Sequence, residues 1–383
     1  FSKPKIFNRM KNSKIQKFLL IILMICSNAC TKTTPLEILT IEEKNLSIQL
    51  SIPIEGVEVR FYNFSFNGRV EANSNYLSFK DSASFYKVLN SLIKSKPEEI
   101  REWNQKIGFQ SLQNIYDIAV LSERKEMEKE GEISDLQRNR LITYGCLSDF
   151  TFNHRYLFKF DKEKGMDMKL FNPSLAPLLN IDGIVQVGQN IFQYGEDFVK
   201  IITDGDINKV NHLYKFTKSD KSQNIVVCLV NNRMKESSVP TNGKVEDWVR
   251  SCETTVNSPA SYRTLVYEEF YDYTNYTGIH PYYNPYSTYT HFIKVRNLKR
   301  GFLGYWYDTD FLTTMYGAIA YSSLPSAPNQ GAYYGQVNDD TIYAYFLSNL
   351  VTPINAIPQG TVITGSHTIT AAGGQCYFPL AYY

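Results

Sequence analysis

The richest source of binding chemistry in this chain is tyrosine. The stretch Tyr267 to Phe292, YEEFYDYTNYTGIHPYYNPYSTYTHF, holds eight tyrosines with two prolines and one glycine. Each ring offers a flat apolar face and a polar tip, and loses little rotamer freedom on binding. Tyr271, Tyr273, Tyr276, Tyr282, Tyr283 and Tyr286, with Trp306 further on, are therefore a candidate surface for a glycan or an envelope protein. The competing reading is cross-strand pairing, in which the same rings fill a sheet face. Carboxylates come second. Asp308 and Asp310 stand two apart beside Trp306 and Tyr307, and Glu268 and Glu269 lie inside the tyrosine stretch. A glycoside hydrolase works with two such groups, one as acid and one as nucleophile or base. A turn after a strand is the simpler explanation of Asp308-Thr309-Asp310. That D-x-D lacks the glycine and the twelfth-position glutamate of a calcium loop, and Asp204-Gly205-Asp206 reads first as a turn.

Other chemistries find little footing. The histidines, His154, His212, His280, His291 and His367, show neither HExxH nor i, i+4 spacing, so zinc hydrolysis has no support. No G-x-S-x-G elbow and no glycine-rich phosphate loop is present. Beyond Cys30 the cysteines are Cys146, Cys228, Cys252 and Cys376, whose spacings fit no zinc pattern. Cys228 with Cys252 is the first choice for a disulfide, since both fall in or beside expected strands; buried free thiols are the alternative. The sequence thus names no catalytic residue, no metal ligand and no cofactor. Its reading is a non-enzymatic binding or structural protein, with a carbohydrate-active hydrolase using Asp308, Asp310, Glu268 or Glu269 as the alternative.

The elements that must position these residues begin with a short greasy segment. Lys11, Lys14 and Lys17 precede eight apolar residues, Phe18 to Ile25, and then Ser27, Asn28, Ala29 and Cys30. Eight residues make about 12 Å of helix, well short of the roughly 20 residues that cross a bilayer. The length suits the h-region of an export signal. Ala29-Cys30 resembles the lipobox of bacterial lipoproteins, in which the cysteine thiol receives diacylglycerol and becomes the mature N-terminus. Ser27 stands where that family prefers leucine. Ordinary signal cleavage and an uncleaved helical anchor remain the other readings. On the first, residues 1–30 are a lipoprotein signal with an upstream extension over 1–9, and Cys30 carries the lipid. The protein then belongs to the cell envelope as an outer-membrane lipoprotein, periplasmic or surface-facing.

Past Cys30 the balance is 34 Lys+Arg against 38 Asp+Glu, the six basic groups before it being removed from the total. A chain near −4 lacks the clustered cation that nucleic acid requires.

Residues 31–35 read as a tether, and residues 36–205 as a mixed domain. Alternation at Leu46, Ile48, Leu50 and Ile52, then Val57, Val59 and Phe61, indicates a strand pair broken at Pro53 and Gly56. Three helices are expected next: one capped at Asp81 or Ser82, one opened by Pro97, one capped by Ser111. The run Ser122 to Arg140 reads as a solvated helix and loop. Ile184–Val187 and Ile191–Tyr194 form a hairpin around Gly188, and the polar run 203–211 marks a boundary. Residues 206–383 alternate as a β-rich domain, sandwich-like, with strands at His212–Phe216, Ile225–Val230, Tyr262–Glu269, His291–Leu298 and beyond. The fold class is α+β.

Two local patterns carry a resemblance. One is Tyr76-Leu77-Ser78-Phe79 before the Phe85 helix, with Trp103 and Gly108-Phe109-Gln110-Ser111-Leu112. The other is Pro173-x-x-Ala176-x-x-Leu179-Asn180-x-Asp182-Gly183 followed by Val185-x-Val187-Gly188. Over residues 10–205 the chain resembles a group of uncharacterised Bacteroidota envelope lipoproteins. The resemblance implies a strand-then-helix start and a helix–hairpin unit ending in a glycine turn. It brings no activity and no catalytic residues.

Overall fold

The computed structural model describes residues 52–66, 69–129, 133–232, 249–252, 262–275, 286–321, 331–339, 341–353, 363–371 and 374–379. The signal segment with Cys30, the tether and the strand expected before Pro53, except its last residue Ile52, lie outside them.

β1 (Val57–Phe66) and β2 (Arg69–Phe79) pair antiparallel with Val59 opposite Leu77. The period then lengthens from two to 3.6, and five helices follow. In α1 (Ser82–Leu92) the Asp81 side chain accepts from the Ser84 N–H. In α2 (Pro97–Ile107) Pro97 opens the first turn, Glu98 and Glu99 meet the positive end of the helix, and Gly108 closes it at φ 69°. Ser111 caps α3 (Leu112–Met127), and a capping box of Ser134 and Gln137 starts α4 (Asp135–Tyr144). A single turn, α5 (Asp149–Asn153), completes the set.

Strands dominate from there. β3 (Phe158–Asp161) and β4 (Gly165–Met168) make a separate hairpin. β5 (Ile184–Val187), β6 (Asn190–Tyr194), β7 (Phe198–Ile202) and β8 (Ile225–Asn232) run on as a meander, with Gly188 at φ 58° in the first turn. β9 (Val249–Cys252), β10 (Tyr262–Asn275), β11 (Tyr286–Arg300) and β12 (Trp306–Asp308) extend the sheet. Its main path is β1-β2-β5-β6-β7-β8-β10-β11-β12, parallel only between β2 and β5. β13 (Phe311–Tyr321), β14 (Gly331–Asp339), β15 (Thr341–Pro353), β16 (Ile363–Ala371) and β17 (Gly374–Pro379) follow. β15 joins the large sheet on β11, and the others form a four-stranded sheet ordered β14-β13-β16-β17. The fold is α+β, with a β-rich C-terminal region.

Alternation along each strand sorts the core onto two faces. Leu77, Val185, Val199 and Ile201 meet Phe85, Leu89, Trp103 and Ile115 of the helices. Ile184, Ile191, Ile202 and Ile225 face the other way, under Val210 and Leu213. Those two belong to a 3₁₀ segment, Ile207–Lys215, where the sequence suggests a strand at His212–Phe216. Three-residue spacing of the inward side chains, with Asp206 capping, selects the helical form. The polar run 203–211 connects β7 and β8, which pair from Phe198↔Leu229 to Ile202↔Ile225.

Ser111 is fully buried and does two jobs. Its hydroxyl accepts from the Asn114 N–H at 3.2 Å and from Asn104 Nδ2 at 3.1 Å. Ser111→Ala uncaps α3 and orphans a buried amide donor, a loss of about 2 kcal/mol in urea unfolding. On the opposite face Tyr62 donates to Asp182, and Asn180 Nδ2 donates to Tyr62 Oη. Burial pushes the Asp182 carboxyl above its ordinary value, with the Tyr62 bond opposing. A raised folded pKa favours the neutral acid, so this group's contribution is complete below the ordinary aspartate value of 3.8 and is lost as pH rises through the folded value. Asp182→Asn should therefore gain stability relative to the parent at pH 7 and lose that gain near pH 3. An equal difference at both pH values would contradict it.

Candidate functional site

The site grows from a helix that stops early against a strand. α4 ends at Tyr144 because Gly145 turns left-handed at φ 77°, and a Cβ there would stand 2.5 Å from Phe160 Cβ. That close approach lays residues 142–145 along β3. Between them and Tyr305 lies a cavity of about 420 Å³. Its apolar lining comes from Phe158 and Phe160, and its charge from Arg155, Lys162 and Lys169.

The three cations are exposed side chains held by rings and carbonyls. The Arg155 guanidinium lies 4.3 Å from the Phe152 ring centre and 5.3 Å from that of Tyr144, and donates to the Phe152 carbonyl at 2.7 Å. The Lys162 ammonium sits 5.5 Å from the Tyr305 ring centre, and Lys169 Nζ donates to the Tyr156 carbonyl at 3.2 Å. A ring face or a neutral carbonyl steadies a cation without cancelling its charge. Among the described residues none of the three has a carboxylate partner. Elsewhere Arg124 pairs with Asp310, Lys159 with Glu196 and Lys294 with Asp167.

The wall carrying Phe158 and Phe160 is the β3–β4 hairpin, clasped from behind. Arg296 on β11 donates to Asp308 on β12 through Nε at 3.0 Å and Nη2 at 2.5 Å and 2.7 Å, both side chains being buried. The same Nη2 reaches the Met166 carbonyl of β4 at 2.6 Å. Tyr116 Oη adds 3.1 Å to that carbonyl, Lys294 bonds Asp167 at 2.6 Å, and the Trp306 N–H bonds the Lys162 carbonyl at 3.0 Å. At Gly165 a Cβ would come within 3.0 Å of Arg296 Nη2, so the hairpin can approach this closely only without a side chain. Burial opposes the Arg296 charge, but Asp308, Tyr116 and Asp167 outweigh it and raise its pKa.

The loop after Gly145 is fixed by Glu123 of α3, whose carboxylate accepts from the Leu147 and Ser148 N–H groups at 2.8 Å each. The reading of Ser122 to Arg140 as a solvated stretch fails at this residue, which is buried. Two orphan amides of the following turn need an acceptor, and the charge-rich helix supplies it. Burial pushes the Glu123 carboxyl up, against those two bonds.

The residues singled out from sequence fall in several places. Tyr271 packs between Phe171 and Phe292, at ring distances of 6.0 Å and 6.2 Å, on the core side of β10. Tyr273 lies on β10 opposite Thr288, and Tyr286 on β11 opposite Asn275. Tyr276, Tyr282 and Tyr283 lie outside the described residues, as do the side chains of Glu268 and Glu269. Trp306 opens β12 next to the groove. Asp308 and Asp310 do not form an open carboxylate pair: one is locked to Arg296 and the other bonds Arg124 at 2.8 Å.

The Cys228–Cys252 disulfide is not formed. Cys228 is a buried free thiol in the main apolar cluster, and burial pushes its pKa up to about 12. Register explains why. Val230 pairs with Tyr273 and Cys252 with Thr264, nine residues apart on the same strand. That is about 30 Å along β10, against the roughly 7 Å Cα separation a disulfide tolerates.

Sequence reasoning missed Arg155, Lys162, Lys169 and Tyr305. A signal was there in Phe158-Lys159-Phe160-Asp161-Lys162, aromatic alternating with charge, followed by Gly165 and Lys169. Among the described residues no group of three or more His, Cys, Asp or Glu could hold a metal ion, and no helix is long and apolar enough to cross a membrane.

No family model and no curated protein matches the sequence. Among solved structures, a DUF4848 family protein from Bacteroides thetaiotaomicron aligns over 80% of this chain and 97% of its own, at 12% identity and a TM-score of 0.28. That score is too low to show a shared fold.

Proposed function

We propose that this chain is a non-enzymatic binding protein of the bacterial cell envelope. It is tethered to the membrane by lipid on Cys30 and takes its ligand, an envelope glycan or another small envelope molecule, in the groove beside Gly145. The anchoring half of the proposal rests on the cationic start, the eight-residue apolar run and Ala29-Cys30. The binding half is carried by one observation. The groove gathers three cations that have no carboxylate partner among the described residues beside the half-buried Phe160 ring, while Asp308, one of the sequence candidates for acid–base work, has both oxygens bound by Arg296. Such a lining has charge and apolar surface to hold a molecule, and no carboxylate pair to hydrolyse it.

The test is to incubate the chain with candidate envelope glycans, measuring binding by calorimetry and the ligand's mass before and after. Saturable binding with the ligand recovered unchanged is expected; turnover of the bound ligand would overturn the reading. Mass spectrometry of the native N-terminus should show a diacylglyceryl cysteine at position 30. An unmodified or uncut polypeptide would remove the anchor.

A further inference from the structure

The geometry points to a ligand class for this groove: a small molecule of one or two rings bearing an oxyanion, either carboxylate or phosphoryl. The assignment rests on the binding reading above and sharpens it. Arg155, Lys162 and Lys169 line one cavity, and among the described residues none is paired with a carboxylate. The chain beyond Cys30 carries slightly more acid than base, so the cluster does not follow from a cationic composition.

The ring faces nearest these cations are already in use. Phe152 and Tyr144 lie under Arg155, and Tyr305 under Lys162. What the rim offers a ligand is therefore N–H donors. A guanidinium presents a planar fork matched to a carboxylate or phosphoryl group, and two ammonium groups add point charges. The half-buried Phe160 ring, backed by the buried Phe158, suits the apolar face of a ring. A volume of about 420 Å³ is that of a small-molecule site and too small for a folded partner. Neutral sugars would leave three cations partly desolvated with nothing to meet them, which disfavours them as ligands.

The experiment uses calorimetry on the folded chain with three probes: inorganic pyrophosphate, digalacturonate and cellobiose. At least one anionic probe should bind, cellobiose should not, and affinity should fall as salt rises from 0.05 M to 0.5 M, since the screening length shortens from about 14 Å to about 4 Å. Lys162→Gln with Lys169→Gln, both exposed positions, should weaken that binding about tenfold or more without moving the melting temperature. Arg155→Lys keeps the charge and removes the fork, and should weaken binding by a smaller factor. Binding of pyrophosphate alone assigns the phosphoryl group, and of digalacturonate alone the carboxylate. Binding of cellobiose alone would overturn the oxyanion assignment while leaving the binding reading intact. Anion binding unchanged in the double lysine variant would overturn it too, as would no anion binding at all.

Discussion

Asp308→Asn should destabilise the fold by about 3–5 kcal/mol, the largest loss expected from any single polar substitution here. The asparagine still offers Arg296 one oxygen, but the buried guanidinium then loses the carboxylate bonded to it and keeps only Asp167, which Lys294 already engages, as a nearby counter-charge. Its pKa is too high for it to escape by deprotonation. Replacing both members, Arg296→Met with Asp308→Leu, should cost clearly less than Asp308→Asn alone, because no ion is left behind. The Met166 carbonyl would keep its bond from Tyr116. Urea unfolding followed by circular dichroism measures both. A single variant within about 1 kcal/mol of the parent would mean that the pair carries no such strain and does not clasp the β3–β4 hairpin.

Gly145→Ala should cost about 3 kcal/mol, and a second glycine separates the causes. Gly108 and Gly145 both end helices with positive φ, 69° and 77°. Around Gly108 a Cβ would meet nothing within 4 Å, whereas at Gly145 it would stand 2.5 Å from Phe160 Cβ. Gly108→Ala therefore pays only the left-handed penalty of about 1–2 kcal/mol, and Gly145→Ala adds an overpacking cost of similar size. Because Phe160 lines the groove, Gly145→Ala should also weaken ligand binding, which Gly108→Ala should leave unchanged. Equal stability losses at the two positions would show that β3 can move away freely.

The helices and the central hairpin were legible because their signals are local. Asp81, Pro97 and Ser111 sit where caps and first turns belong, and Gly188 where a tight turn needs positive φ. What was not legible depends on contacts far apart in sequence. Asp308 reads as a free carboxylate until Arg296, twelve residues away, is folded against it from the neighbouring strand. Cys228 and Cys252 look like a pair until register sets them far apart along β10. Tyr271 belongs to a conspicuous tyrosine run, yet its ring is used between Phe171 and Phe292. The groove itself is assembled from the end of α4, the stretch from Arg155 to Lys162, Lys169 and Tyr305, four segments that only tertiary packing brings together. No spacing rule could have joined them.

Lysine protection is the most direct test that the groove is where the ligand sits. Treating the chain with acetic anhydride, with and without a saturating anionic probe, and mapping the products by mass spectrometry, reports each lysine separately. Lys162 and Lys169 should be shielded when the probe is bound, while exposed lysines outside the groove, such as Lys106 and Lys221, react as before. Shielding that falls elsewhere, or no shielding of these two under saturation, would contradict the account.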